Sequence, residues 1–354
     1  MRRTQILEWL REDRPEALSR LFREVNRVRR ENVGSDVHLR GLIEFSNCCR
    51  RSCSYCGIRA PNRKIERYRL RAGEILECVR DAVRLKYGTV VLQSAEDPGC
   101  TAEWVADLIG RIKAETGLAV TLGLGERAIE ELALWRRAGA DRYLLRFETS
   151  NPRLYQRYHP SPPGRDSDRL ALLVELRNLG YETGGGILVG LPGQTYEDLA
   201  RDIELFAQLD LDMIGLGPYI PHPDTPLGKN YKQCGAPPGQ QVPNTEEMTY
   251  RVLALTRLVC PRANIPATTA VATLNRSAGF ELGLSRGANV IMPNLTPGKY
   301  QRMYAIYPGK AGADEDLARL RYRILNQGRG VGRGRGDSPN YTSRVRGESL
   351  RRAV

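Results

Sequence analysis

Apolar positions recur at helical spacing from residue 4 to about 32, where Leu7, Leu10, Leu18, Leu21, Phe22, Val25 and Val28 predict an amphipathic helical start. From Gly41 onward the pattern changes, and short β-branched runs alternate with amphipathic stretches. The runs predict strands at 41–46, 89–93, 118–122, 142–146, 182–189, 213–217, 267–270 and 289–292. The stretches between them predict helices near 73–86, 102–115, 126–138, 167–179, 195–208, 245–259 and 276–285. Strands separated by helices return to the same end of a sheet and pair in parallel. Eight of them over about 250 residues is the count of a (β/α)8 barrel. The predicted fold class is therefore α/β, a TIM-type barrel with N-terminal helices. A doubly wound open sheet is the alternative, because the last two strands carry the weakest pattern. The organisation read from this pattern is a helical extension at 1–36, the barrel at 37–326 and a tail at 327–354.

The tail changes composition. Residues 328–336 read Gly-Arg-Gly-Val-Gly-Arg-Gly-Arg-Gly, which is similar to an RGG-type RNA-binding segment. It is one short block without interleaved aromatics, so it is read as flexible and dispensable for catalysis.

Over 354 residues, 41% hydrophobic and 27% charged is ordinary for a globular protein. No run approaches the roughly 18 apolar residues of a membrane helix, and Met1 to Asp13 is charged throughout, without the apolar core of a signal peptide. Those features predict a cytoplasmic protein with no membrane partner. The net charge is +13, and only seven of the 54 basic residues are Lys. Basic residues are spread along the chain rather than clustered, so nucleic acid is not the expected partner.

Eight cysteines stand at 48, 49, 53, 56, 78, 100, 234 and 260. The chain is too long for a disulfide scaffold, and four thiols within nine residues indicate a metal site. Cys49, Cys53 and Cys56 have C-x3-C-x2-C spacing and leave the end of the first predicted strand, where barrel sites lie. Three thiolates so spaced can wrap one cubane and leave its fourth iron open. A structural zinc site wants four closed ligands, and His38, His159 and His222 supply no pair to complete one. Cys48, adjacent to Cys49, is read as a bystander. Cys78, Cys100, Cys234 and Cys260 are read as small buried apolar residues.

The cysteine loop resembles that of the radical S-adenosylmethionine (SAM) superfamily. Segments 91–98, 143–149, 189–195, 221–226, 265–270 and 289–294 closely resemble the HydE-type maturases of FeFe hydrogenase, a likeness covering roughly residues 15 to 310. The resemblance implies one 4Fe-4S cluster on Cys49, Cys53 and Cys56, with SAM on its open iron and cleaved reductively to a 5′-deoxyadenosyl radical. It implies that Tyr55 packs near the adenine, Gln93 and Ser94 bind the methionine amine, and Glu148 and Arg169 hold SAM by polar groups. For Arg169 a solvated helix position is the alternative. It also implies a substrate cavity of Thr121, Arg146, Met213, Thr268, Thr269, Tyr300 and Tyr304. Arg146 ends a predicted strand and needs an anion, either a substrate or a carboxylate such as Glu148.

The resemblance implies as substrate an anionic iron complex carrying cysteine, carbon monoxide and cyanide. The implied partners are the other hydrogenase maturases and an electron donor such as flavodoxin or ferredoxin. Two departures stand out: Phe147 sits where many relatives carry His, and residues 311–325 hold no Cys for a second cluster. Methylornithine synthase and biotin synthase are the sister readings; a zinc- or RNA-binding protein is the non-enzyme alternative.

Overall fold

The computed structural model describes all residues except 163, 165, 232–234, 312–316 and 348–354, and the side chains of 317 and 318. Cys234 thus lies outside the described residues. The strands are β1 (His38–Ser46), β2 (Thr89–Ser94), β3 (Ala119–Gly123), β4 (Arg142–Leu144), β5 (Glu182–Val189), β6 (Met213–Pro218) and β7 (Val290–Ile291). They form one parallel sheet in the order β6-β5-β4-β3-β2-β1-β7. The helices are α1 (Arg3–Arg11), α2 (Pro15–Val33), α3 (Ala72–Arg84), α4 (Ala102–Glu115), α5 (Ile129–Ala138), α6 (Pro152–Tyr158), α7 (Arg169–Asn178), α8 (Tyr196–Gln208), α9 (Pro226–Lys229), α10 (Glu246–Val259), α11 (Thr269–Leu274), α12 (Gly279–Ser285), α13 (Gly298–Met303), α14 (Leu317–Asn326) and α15 (Pro339–Val345). None of the described helices is long and apolar enough to cross a membrane.

The barrel with N-terminal helices is as the hydrophobic pattern predicts, with local differences. The helical start is two helices, because Pro15 opens α2 at its first turn and the chain breaks before it. The predicted strand at 267–270 is displaced. Single parallel bridges, Met213 to Asn264 and Pro266 to Val290, place residues 264–266 between β6 and β7 and join the two sheet edges. On the β6 side Asn264 N–H donates to the Asp212 carbonyl at 2.8 Å and its carbonyl accepts from Ile214 N–H at 3.0 Å; on the β7 side Asn289 N–H donates to the Ile265 carbonyl at 2.9 Å. Pro266 has no N–H to extend a ladder, and the β-branched Thr268-Thr269 pair that reads as strand begins α11 instead.

Glycines in β5 shape the interior. A Cβ on Gly186 would stand 2.1 Å from the Gly215 carbonyl and 3.1 Å from the Arg146 side chain. One on Gly184 would meet the Met213 side chain at 2.9 Å. Gly184 and Gly186 thereby leave room inside the barrel for Met213 and Arg146.

Up to Gly347, the tail departs from the flexible segment expected of it. Val37 N–H donates to Gly330 O at 2.8 Å, and Gly332 N–H to Val37 O at 2.9 Å. Buried Arg329 donates to the carbonyls of Ser35, Asp36, Leu284 and Ala288 at 2.8 to 3.2 Å. The segment then crosses beneath the strand starts. Arg335 O accepts from Thr89 and Arg142, Gly336 O from Arg40 and Asn264, and Ser338 N–H donates to Glu182. A Cβ on Gly332 or Gly336 would press within 2.5 and 2.7 Å of the His38 ring. In this segment Gly332 and Gly336 give close approach to the His38 ring, and Arg329 satisfies buried carbonyls.

Candidate active site

The cysteine loop leaves β1 at the C-terminal end of the barrel. Buried Asn47 anchors it, donating to the carbonyls of Glu66 at 2.8 Å and Met303 at 2.9 Å. Arg67 donates to the carbonyls of Asn47, Ile58 and Arg59 at 2.6 to 2.7 Å and fixes the return of the loop. Gly57 follows Cys56 because a Cβ there would stand 2.2 Å from the Ala305 carbonyl.

Cys49, Cys53 and Cys56 line one cavity of about 250 Å³. Burial pushes the Cys53 thiol up to about 12, and raises Cys49 and Cys56 as well. Without a cation they remain neutral thiols; a bound metal cluster would displace their protons. Among the described residues the lining holds no fourth thiol, and its one imidazole, His159, lies between two guanidiniums. Three converging sulfurs with no closing ligand suit an open cluster. Cys48 is outside this lining, with its sulfur against the Tyr68 carbonyl at 3.5 Å.

Tyr55, Gln93, Ser94, Glu148 and Arg169 all line the same cavity. Gln93 donates to the Tyr304 hydroxyl at 3.4 Å, and Ser94 donates to the Ala95 carbonyl at 2.7 Å. Glu148 has φ +64°, a left-handed conformation that a non-glycine residue adopts only under constraint. Its N–H donates to Gly186 O at 3.0 Å and its carboxylate accepts from Arg146 at 2.8 Å. Phe147 between them points the other way, buried against Phe206 with ring centroids 5.7 Å apart. The Phe-for-His departure therefore lies behind the cavity wall.

Arg169 is buried, not solvated. It donates to Glu126 at 2.7 Å, Glu96 at 3.0 Å and the Arg146 carbonyl at 2.5 Å, and its Nη2 lies 2.7 Å from His159 Nε2. Arg51, Glu96, Glu126 and His159 complete a buried network that sequence reasoning missed. Residues 50–51 merge with the general arginine abundance, and the partners of Arg51 sit far along the chain on other loops. Glu96, Glu126 and His159 lie close enough to one another to share an ion, but Arg51 and Arg169 already supply the positive charge there.

A second chamber of about 160 Å³ lies deeper, lined by Thr121, Arg146, Met213, Thr268 and Thr269. It shares Gln93, Arg146, Gly217, Ala270, Ile306 and Tyr307 with the first. Arg40, Glu44, Tyr307 and Lys310 also line it and were not anticipated. Tyr304 lines the upper cavity. Tyr300 lines neither; its hydroxyl donates to Glu74 at 3.1 Å and its ring packs on Tyr68 at 4.8 Å. Arg146 pairs with Glu148, yet among the described residues its Nε has no partner, and neither do the hydroxyls of Thr121 and Thr268.

The Radical SAM superfamily model matches residues 43–206. The FeFe hydrogenase maturase subunit HydE of Thermotoga maritima is 46% identical over 311 residues, covering 86% of this chain and 85% of that protein. The 3-methylornithine synthase of Methanosarcina acetivorans is 28% identical over 280 residues, covering 78% and 74%. Among solved structures, methylornithine synthase (PylB) superposes with a TM-score of 0.79 at 24% identity, covering 94% of both chains. HydG, a maturase of the FeFe-hydrogenase, superposes at 0.75 with 16% identity, covering 98% of this chain and 80% of that one. The family implies a 4Fe-4S cluster and SAM, which the open set of three thiols fits. From a likeness at 46% identity over 86% of the chain and a cysteine loop at the barrel mouth, it follows that the chain belongs to the radical SAM superfamily, in its HydE branch, and is an enzyme that cleaves SAM reductively.

Proposed function

We propose that this enzyme acts in maturation of FeFe hydrogenase as HydE-type enzymes do, on a small anionic iron complex held in the deeper chamber. The likeness to HydE at 46% identity, against 28% for methylornithine synthase, favours this reading over its sister. The observation that carries the anionic substrate is the set of unpartnered donors in that chamber, Arg146 Nε and the Thr121 and Thr268 hydroxyls. Buried donors without acceptors cost free energy that an anionic ligand would recover.

When bound, the reduced 4Fe-4S cluster supplies the electron that breaks SAM into methionine and a deoxyadenosyl radical. Cys49, Cys53 and Cys56 would hold one such cluster. Tyr55 would pack on the adenine, with Gln93, Ser94, Glu148 and Arg169 disposed along the same cavity for the methionine end. The shared wall of Gln93, Arg146, Gly217, Ala270, Ile306 and Tyr307 would bring SAM and substrate together, deep in the barrel and away from bulk water. The electron would come from a flavodoxin or ferredoxin, and the product would pass to the other maturases.

In an FeFe-hydrogenase maturation mixture lacking its HydE-type component, the reconstituted enzyme is expected to restore hydrogen evolution. Arg146→Leu should lower that turnover roughly 10- to 100-fold, since a charged hydrogen bond is lost, and leave cluster loading unchanged. Thr268→Val removes one neutral donor and should have a smaller effect. Unchanged turnover in Arg146→Leu would mean that the guanidinium serves only Glu148. Iron analysis should give about four irons per chain, one cubane; two spectroscopically distinct clusters would contradict this.

A further inference from the structure

The stretch that carries the three thiols and leads on to α3 is strongly basic. Residues 50–71 hold eight basic residues against one acid, Glu66, a net +7 of the chain's +13. Arg50, Arg63, Lys64, Arg69 and Arg71 are exposed. Three of these have carboxylates of their own: Lys64 pairs with Asp224, Arg69 with Asp97 and Arg71 with Glu74. Arg50 follows Cys49 directly, and its Nε stands 3.8 Å from Glu96, a carboxylate already shared by Arg51 and Arg169. Arg63 has no partner among the described residues.

The elements packed around the loop extend this charge. Asn47 Nδ2 donates to both the Glu66 and Met303 carbonyls, which sets the 63–67 stretch beside the end of α13. Ser54 N–H donates to the Tyr158 carbonyl at 2.9 Å, at the end of α6, and Ser54 O accepts from Leu227 N–H at 3.0 Å, in α9. Helices α6, α9 and α13 together hold five basic residues and no acid. Arg302 on α13 is exposed and, like Arg63, has no partner among the described residues. The basic residues are thus concentrated at one place in space, around the thiols. Such a face attracts an acidic partner and speeds its encounter. A single-stranded nucleic acid would need aromatic side chains on which to stack its bases. The two aromatics of the loop are turned inward: Tyr55 lines the upper cavity and Tyr68 is buried.

We propose that this basic face docks an acidic one-electron carrier protein, which reduces the cluster across the cysteine loop. This rests on the reading that Cys49, Cys53 and Cys56 hold a 4Fe-4S cluster. One electron leaves the reduced carrier and one enters the oxidised cluster, and no bond forms or breaks between the two proteins. Transient redox pairs bury little area and depend on charge for their encounter. Arg50 places a positive charge next to a cluster thiol, and Arg63 and Arg302, with no carboxylate of their own, draw the carrier to the rim.

The test compares two reductants on the cluster-loaded enzyme, with 5′-deoxyadenosine formation from SAM as the readout: fully reduced flavodoxin, an acidic carrier, and dithionite, which needs no docking face. The double variant Arg63→Glu/Arg302→Glu should slow the flavodoxin-driven rate about 10-fold or more at low salt. Its dithionite-driven rate, iron content and thermal midpoint should stay within error of wild type. Raising salt to about 0.5 M should slow the wild-type enzyme with flavodoxin and narrow the gap between the two proteins. Arg20→Glu/Arg23→Glu, the same charge change on exposed positions of α2, should leave both rates unaltered. An unchanged flavodoxin-driven rate in the first variant would overturn the proposal. So would equal slowing with dithionite, which would assign the two arginines to the site itself, or equal slowing in the α2 variant, which would assign the effect to net charge. If the flavodoxin-driven rate is unchanged while maturation fails in a dithionite-reduced mixture, the face belongs to another maturase. Wild-type protein that loads its cluster and yields no 5′-deoxyadenosine with dithionite would overturn the underlying reading of the cluster instead.

Discussion

Cys53→Ala is expected to fold as the parent does and to hold no cluster. Cys53 is 8% exposed, and its thiol, pushed up to about 12, is neutral before metal binds. Replacing a neutral buried thiol with a methyl leaves a small void, a loss of about 1 kcal/mol in the metal-free protein. The cluster is a different matter. Two thiolates cannot hold an open cubane, so iron content after anaerobic reconstitution should fall to background and SAM cleavage below detection. Cys49→Ala and Cys56→Ala should behave alike. Cys48→Ala should load and cleave normally, because its sulfur faces the Tyr68 carbonyl outside the cavity. A fully active Cys53→Ala protein would refute the ligand assignment.

The second large effect is expected at the other end of the barrel. Truncation after Gln327 should destabilise the fold, contrary to what its composition suggests. The cut removes Asp337 from Arg142, which is fully buried, and Ser338 N–H from Glu182, also fully buried. It also removes Arg344, whose Nη2 lies 2.5 Å from Asp212. Taking one partner from a buried ionic network costs about 3–5 kcal/mol. The Gly336 carbonyl is lost as well from Arg40, which donates at 3.0 Å to the sulfur of Met213 in the floor of the deeper chamber. Urea unfolding should show the midpoint falling by an amount consistent with that loss. The same midpoint in both proteins would show that the tail is dispensable after all.

These two ends differ in how much of them the sequence carried. The barrel was legible because its strands are buried on both faces and read as β-branched runs bounded by turns. The cysteine spacing was legible because the three thiols that line one cavity are neighbours on one loop. The closing segment was misplaced because residues 264–266 contribute only single bridges around a proline, and no β-pattern marks them. Meanwhile Thr268 and Thr269, strand-like by propensity, start a helix. The network of Arg51, Glu96, Glu126 and His159 has no local signal, since its members meet only when four loops converge. The tail misled for a related reason. Glycine and arginine are the composition of a solvated chain, and only the carbonyls that receive Arg329 and the close approach of Gly332 and Gly336 to His38 mark the segment as docked.

The fate of SAM is the most direct measure of what this enzyme does. Anaerobically reconstituted protein, reduced with dithionite and given SAM, is expected to form 5′-deoxyadenosine and methionine in equal amounts, with none formed when reductant is withheld. Protein that carries its 4Fe-4S cluster, binds SAM and yields no 5′-deoxyadenosine on reduction would contradict a reductive SAM-cleaving role.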